Sequence, residues 1–67
     1  PRRNQVLSRR EKEVMRLIKD GKASKQIAGL LGISIHTVNR HRQNIIEKLS
    51  VSNSTEAVAA ATAMKLL

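Results

Sequence analysis

The stretch Ser24-Lys-Gln-Ile-Ala-Gly-Leu-Leu-Gly-Ile-Ser-Ile-His-Thr-Val-Asn-Arg-His-Arg-Gln-Asn-Ile-Ile-Glu-Lys-Leu49 decides the fold. Two short apolar-periodic patterns meet in it at Gly32-Ile33-Ser34. On a helical wheel of about 100° per residue, Ile45 and Leu49 fall within about 20° of Val38, with Ile46 and Ile35 on the flank. That is an apolar stripe made for a core. On the opposite side lie His36, Asn39, Arg40, Gln43, Asn44 and Glu47. All but Glu47 can donate hydrogen bonds. Asn and Gln grip adenine bidentately, and Arg does the same to guanine. The pattern predicts a helix over 35–49 that enters a DNA major groove and reads bases with Asn39, Arg40 and Gln43.

Immediately before it, Ser24 is expected to cap a shorter helix over 25–31, with Ile27, Ala28 and Leu31 turned inward. Gly29 lowers the intrinsic stability of that helix by about 1 kcal/mol relative to Ala, which points to close packing or a soft element. Gly32 adopts positive φ without penalty, and Ser34 caps the next helix at once. Helix, glycine turn, cap and helix in succession are the sequence form of a helix-turn-helix.

Upstream, Ser8-Arg-Arg-Glu11 is a capping box. Val14, Met15, Leu17 and Ile18 follow at helical spacing, and Gly21 is a natural stop. A helix over 9–20 results, with Arg9, Arg10, Lys12, Arg16 and Lys19 on a solvated face from which one or two approach DNA. Residues 1–6 form a linker or basic arm. Arg2 and Arg3 either touch phosphates or enter a minor groove, or belong to a solvated tail.

Downstream, Ser50-Val-Ser-Asn53 is a loop, and Asn53 with Glu56 makes a second cap signal. An Ala-rich helix over 54–65 follows, with Val58, Ala61 and Met64 facing inward. Its remaining surface is small and nearly uncharged, which suits self-association; Val58, Ala61, Thr62 and Lys65 are the expected dimer face. The class is therefore all-α: a four-helix bundle around a central helix-turn-helix, occupying residues 7–67.

Two side chains of the long helix fall between its faces. Arg42 lies near the core side, snorkels outward and is a candidate phosphate contact. His41 sits on the shoulder of the stripe, hydrogen-bonded locally or to a phosphate. No further ligand type accompanies His36 and His41, so no metal site is expected.

Composition agrees with a polyanionic partner. The net charge is +8, from 13 Lys and Arg against 5 acids. Residues 1–25 hold nine of those cations against three acids, and residues 26–67 hold four against two. The charge thus mostly precedes the reading helix and serves phosphate contact and steering. Without aromatic residues there is no stacking platform for single-stranded RNA. Without Cys there is no disulfide framework and no Cys-ligated zinc. No nucleophile–base set, carboxylate pair or phosphate loop indicates an enzyme, and no cofactor is expected. No apolar run is long enough to span a bilayer. The first residue is Pro, which fits an excised piece of a longer chain.

These residues together resemble a known family. Leu7-Ser-Arg-Arg-Glu-Lys-Glu-Val14, Ser24-Lys-Gln-Ile-Ala28, Leu31-Gly-Ile-Ser34, Thr37-Val38, His41, Asn44-Ile45 and Lys48-Leu-Ser-Val51 are similar to the LuxR-type (LuxR/FixJ/NarL) helix-turn-helix of bacterial transcription regulators. The resemblance runs from about Val6 to Ala61. It implies a four-helix DNA-binding domain with base reading at Asn39, Arg40 and Gln43. It implies phosphate contacts at Ser24, Lys25, Ser34, His36 and Thr37, and dimerisation through the fourth helix.

The sequence departs from the family pattern at three places. Asn39 stands where Lys is frequent, Gln26 where Glu is usual, and Ser54 where Arg often precedes the Glu-Ala pair. The resemblance also implies a homodimer on double-stranded DNA and, as is usual in the family, a receiver or sensing domain N-terminal to this one, a few members being small free-standing regulators. DNA binding implies a cytoplasmic location, with RNA polymerase a candidate further partner. The competing expectations are a sigma-factor region-4-like promoter-binding domain and a protein-interaction module docking through the Ala-rich helix.

Overall fold

The computed structural model describes residues 7–66. The arm expected over residues 1–6 lies outside them. Four helices follow in order: α1 Arg9–Lys19, α2 Ser24–Leu31, α3 Ile35–Leu49 and α4 Ser54–Ala63. Helix α3 packs on all three others, whereas α2 and α4 do not touch each other. The bundle is thus built around α3.

The core explains that arrangement. Val38 and Ile45 of α3 are buried together with Leu7, Val14, Met15, Ile27, Ala28, Ala57 and Ala61. Leu49 packs partly buried against them. Ile35, expected on the flank of the stripe, is instead 44% exposed, because it opens α3 beside the turn rather than over the bundle.

Caps set the helix starts. Ser8 Oγ accepts from the Glu11 N–H at 3.1 Å, and Glu11 Oε1 accepts from the Ser8 N–H at 2.9 Å. Asn53 Oδ1 accepts from the Glu56 N–H at 2.9 Å. At α2 the expectation needs correction. Ala23, not Ser24, is the cap residue, and only the reverse half of a capping box exists, from the Ala23 N–H to Gln26 Oε1 at 2.9 Å. Ser24 is already helical, so its hydroxyl is available for other partners.

Helix ends need a left-handed residue to turn the chain away. Gly21 and Gly32 fill that role at φ +87° and +68°. Ser50 and Lys65 do the same at +56° and +60°, where an L-residue carries strain. At Lys65 the turn is a Schellman pair, Leu66 N–H to Ala61 O at 2.8 Å and Lys65 N–H to Thr62 O at 3.1 Å. It stops α4 at Ala63, short of the expected residue 65. Leu66 then folds back onto the core, and Met64, expected inward, is left 55% exposed. Gly29 has open space where a Cβ would stand, so close packing does not explain it.

One charged group lies inside. Glu11 is 4% exposed, and its Oε1 takes a second hydrogen bond from Lys48 Nζ, at 2.7 Å. The pair ties the first turn of α1 to the last turn of α3. Burial pushes the Glu11 carboxyl up, but the Lys48 hydrogen bond, the Ser8 donors and the Lys48 charge outweigh it and hold it below its ordinary 4.5. A folded carboxyl with a lowered pKa adds stability that is complete above the unfolded value and fades as pH falls through the folded one.

Urea unfolding should therefore show stability declining below about pH 4.5, with a shallower decline in Glu11→Gln. Lys48→Met, which strands the buried carboxylate, should cost about 2–4 kcal/mol at neutral pH, the low side of a buried pair because the lysine side chain is 27% exposed. A chain of this size has roughly 3–10 kcal/mol in total, so that loss should be plain in the unfolding midpoint.

Candidate nucleic-acid interface

The face of α3 opposite its buried stripe carries Asn39, Arg40 and Gln43, all exposed. With Val38 and Ile45 buried on the other side, helical geometry turns these three toward solvent, while His41, Arg42 and Asn44 in the same stretch are partly buried. Arg40 makes no hydrogen bond or ion pair within the described residues. Gln43 Nε2 donates to Glu47 Oε2 at 3.2 Å, so the one acid on this face steadies an amide one turn earlier. His36, Asn39 and Arg40 line an open concavity of about 390 Å³.

The starts of α2 and α3 flank that face. Neither has an acid in its first turn, so the positive end of each helix dipole stands uncompensated. Backbone N–H groups at such an end suit a phosphate. Lys25 and His36 are exposed there. Ser34 Oγ accepts from the Thr37 N–H at 3.0 Å and lies 2.9 Å from Thr37 Oγ1, so both hydroxyls are coupled to the cap.

Arg42 does what its sequence position did not announce. Its Nη1 donates to Ser24 Oγ at 2.7 Å, and its Nε donates to Ser54 Oγ at 3.1 Å. Ser24 Oγ in turn donates to Asn39 Oδ1 at 3.1 Å. One half-buried guanidinium thus bridges the first residues of α2 and α4, two helices with no direct packing between them. The phosphate contact expected of Arg42 would have to come from its three remaining N–H groups, one on Nη1 and two on Nη2.

Two other expectations change. Of the two partners expected for His41, a local group or a phosphate, the local one is absent: its buried Nδ1 has no hydrogen-bond partner among the described residues. Ala61 was expected on the association face; it is fully buried, because it packs into the core one turn after Ala57. Of the remaining members of that face, Val58 is half-buried and Thr62 and Lys65 are exposed. No group of three His, Cys, Asp or Glu side chains among the described residues could hold a metal ion.

Residues 5–61 match the family described as bacterial regulatory proteins, luxR family. The chain belongs to that family. It is similar over 58 residues, at 45% identity, to the response regulatory protein YgeK of Escherichia coli, covering 87% of this chain and 40% of that protein. It is 46% identical over 61 residues to the quorum-sensing regulator RhlR of Pseudomonas aeruginosa, covering 91% of this chain and 25% of RhlR. It is 46% identical over 54 residues to the transcriptional regulatory protein UhpA of Salmonella typhimurium, with 81% and 28% covered. The chain therefore spans between a quarter and two fifths of these relatives.

Within this LuxR-type helix-turn-helix, Ser54 acquires a reason. The resemblance leads to an expectation of Arg there; the serine hydroxyl instead accepts from a guanidinium of α3. The sequence signal was present but weak: a half-turned Arg on α3, and a serine at the start of each helix on either side. No helix in the described residues is long and apolar enough to cross a membrane.

Arg42→Ala should lower thermal stability by about 1–2 kcal/mol through the two lost charge-assisted bonds. Arg42→Lys should recover little of it, since an ammonium lacks the rigid fork that spans both hydroxyls. Hydrogen exchange at the first turn of α4 should quicken in both variants; unchanged exchange and stability would mean that the bridge holds nothing.

Proposed function

We propose that this chain binds specific sequences of duplex DNA as the output domain of a bacterial transcription regulator. Helix α3 lies in the major groove, with Asn39, Arg40 and Gln43 toward base edges. The single observation that carries this reading is their common exposure on α3, opposite Val38 and Ile45. Lys25, His36 and the N-terminal turns of α2 and α3 meet phosphates, together with Ser34 and Thr37 at the α3 cap. The excess of positive charge supports that assignment and predicts steep salt dependence.

The domain acts as a dimer on two half-sites about one helical turn apart. Helix α4 supplies the contact through Val58, Thr62 and Lys65, whose partial or full exposure supports it. In the full-length protein a receiver or ligand-sensing domain precedes this one. The greater length of the relatives and the response-regulator name of one of them support that arrangement. The family match favours this reading over a sigma-factor region-4-like domain, which also uses a helix-turn-helix.

In a binding-site selection, Arg40→Ala should relax base choice at one position and cost about 1–3 kcal/mol on the preferred site. Lys25→Ala should weaken all sequences alike and reduce the slope of log affinity against log salt by about 1. Indistinguishable effects of the two would contradict the division between base and phosphate contacts.

A further inference from the structure

The chain of hydrogen bonds from Arg42 through Ser24 to Asn39 has a direction. A guanidinium has donors only, so Ser24 Oγ must accept at 2.7 Å from Arg42 Nη1. That contact polarises the hydroxyl and strengthens its single proton as a donor. The proton goes to Asn39 Oδ1 at 3.1 Å. Ser54 holds the far side of the same guanidinium at 3.1 Å, so Arg42 is fixed from two helices. Asn39 itself is exposed, and among the described residues its amide N–H₂ donates to nothing.

We infer that Ser24 and Arg42 are positioning residues that set the base preference of Asn39. A bidentate grip on adenine needs the Asn carbonyl to accept from N6 while the amide donates to N7. Here the carbonyl oxygen is drawn back toward Ser24. Asn39 therefore meets the groove chiefly as a donor, and it favours guanine, which accepts at O6 and N7, or thymine, which accepts at O4, over adenine, whose N7 accepts but whose N6 donor is left without a partner. Ser24, expected at a phosphate, acts instead from behind the reading face. This rests on the reading of α3 as the groove helix.

The experiment is selection from a randomised duplex library with the 67-residue chain and its Ser24→Ala, Ser24→Thr and Asn39→Ala variants, folding being checked by circular dichroism. Asn39→Ala identifies the position that Asn39 reads. At that position Ser24→Ala should shift preference toward adenine by roughly fivefold, the worth of one hydrogen bond, and leave other positions unchanged. Ser24→Thr, which keeps the hydroxyl, should retain the original preference.

A Ser24→Ala profile identical to that of the parent would overturn the inference while leaving the groove reading intact. A uniform loss on all sequences would also overturn it, by making Ser24 a phosphate contact. If Asn39→Ala changes no position, the base-reading assignment of Asn39 fails and the inference falls with it.

Discussion

The burial of one strip of α3 is the constraint on which the molecule depends. Val38 and Ile45 have almost no exposed surface, and α1, α2 and α4 each lean on the helix that carries them. A small domain with no aromatic residue has few large side chains to spend, so its core is Ile, Val, Met and Ala drawn from all four helices, with Leu7 from the segment before α1. Once that strip is fixed inward, helical geometry leaves Asn39, Arg40 and Gln43 facing water. Rotating α3 would expose the core and hide the polar face together, so stability and presentation are a single event.

Polar links then refine what the apolar core sets. The Glu11–Lys48 pair joins α1 to the end of α3, and Arg42 joins the starts of α2 and α4 across its middle. Both use cations that composition alone would count as surface charge. Their tasks differ from those of Lys25 and Arg40, which stay exposed. A net charge of +8 is therefore not a uniform coat: part of it holds the bundle together, and part is left for a polyanion.

Local signals made much of this visible in the chain itself. The period of α3 gave its orientation, the Ser8–Glu11 and Asn53–Glu56 pairs gave two helix starts, and Gly21 and Gly32 gave two ends. What escaped was either non-local or adopted by residues without a conformational signature. Lys48 meets Glu11 across 37 positions, and Arg42 meets Ser24 across 18. Ser50 and Lys65 turn left-handed although neither is Gly or Asn. In α4 the inward reading of Val58 and Ala61 agrees with the core, but an almost uniform run of Ala gave no sign that Ala57 is buried too, and the turn after Ala63 leaves Met64 outside. At α2 a Ser beside an Ala drew the cap to the wrong residue, and the freed hydroxyl became part of the link to Asn39.

Membership of the luxR family and the exposed face of α3 converge on DNA, and the central claim is that the helix meets the duplex with that face alone. Titrating the isotopically labelled chain with its selected duplex, followed by NMR, tests it most directly. Asn39, Arg40 and Gln43 should shift most, then Lys25 and His36 at the two helix starts, while the methyl groups of Val38 and Ile45 barely move. Large shifts confined to α4 or the outer side of α1, with α3 silent, would contradict the account.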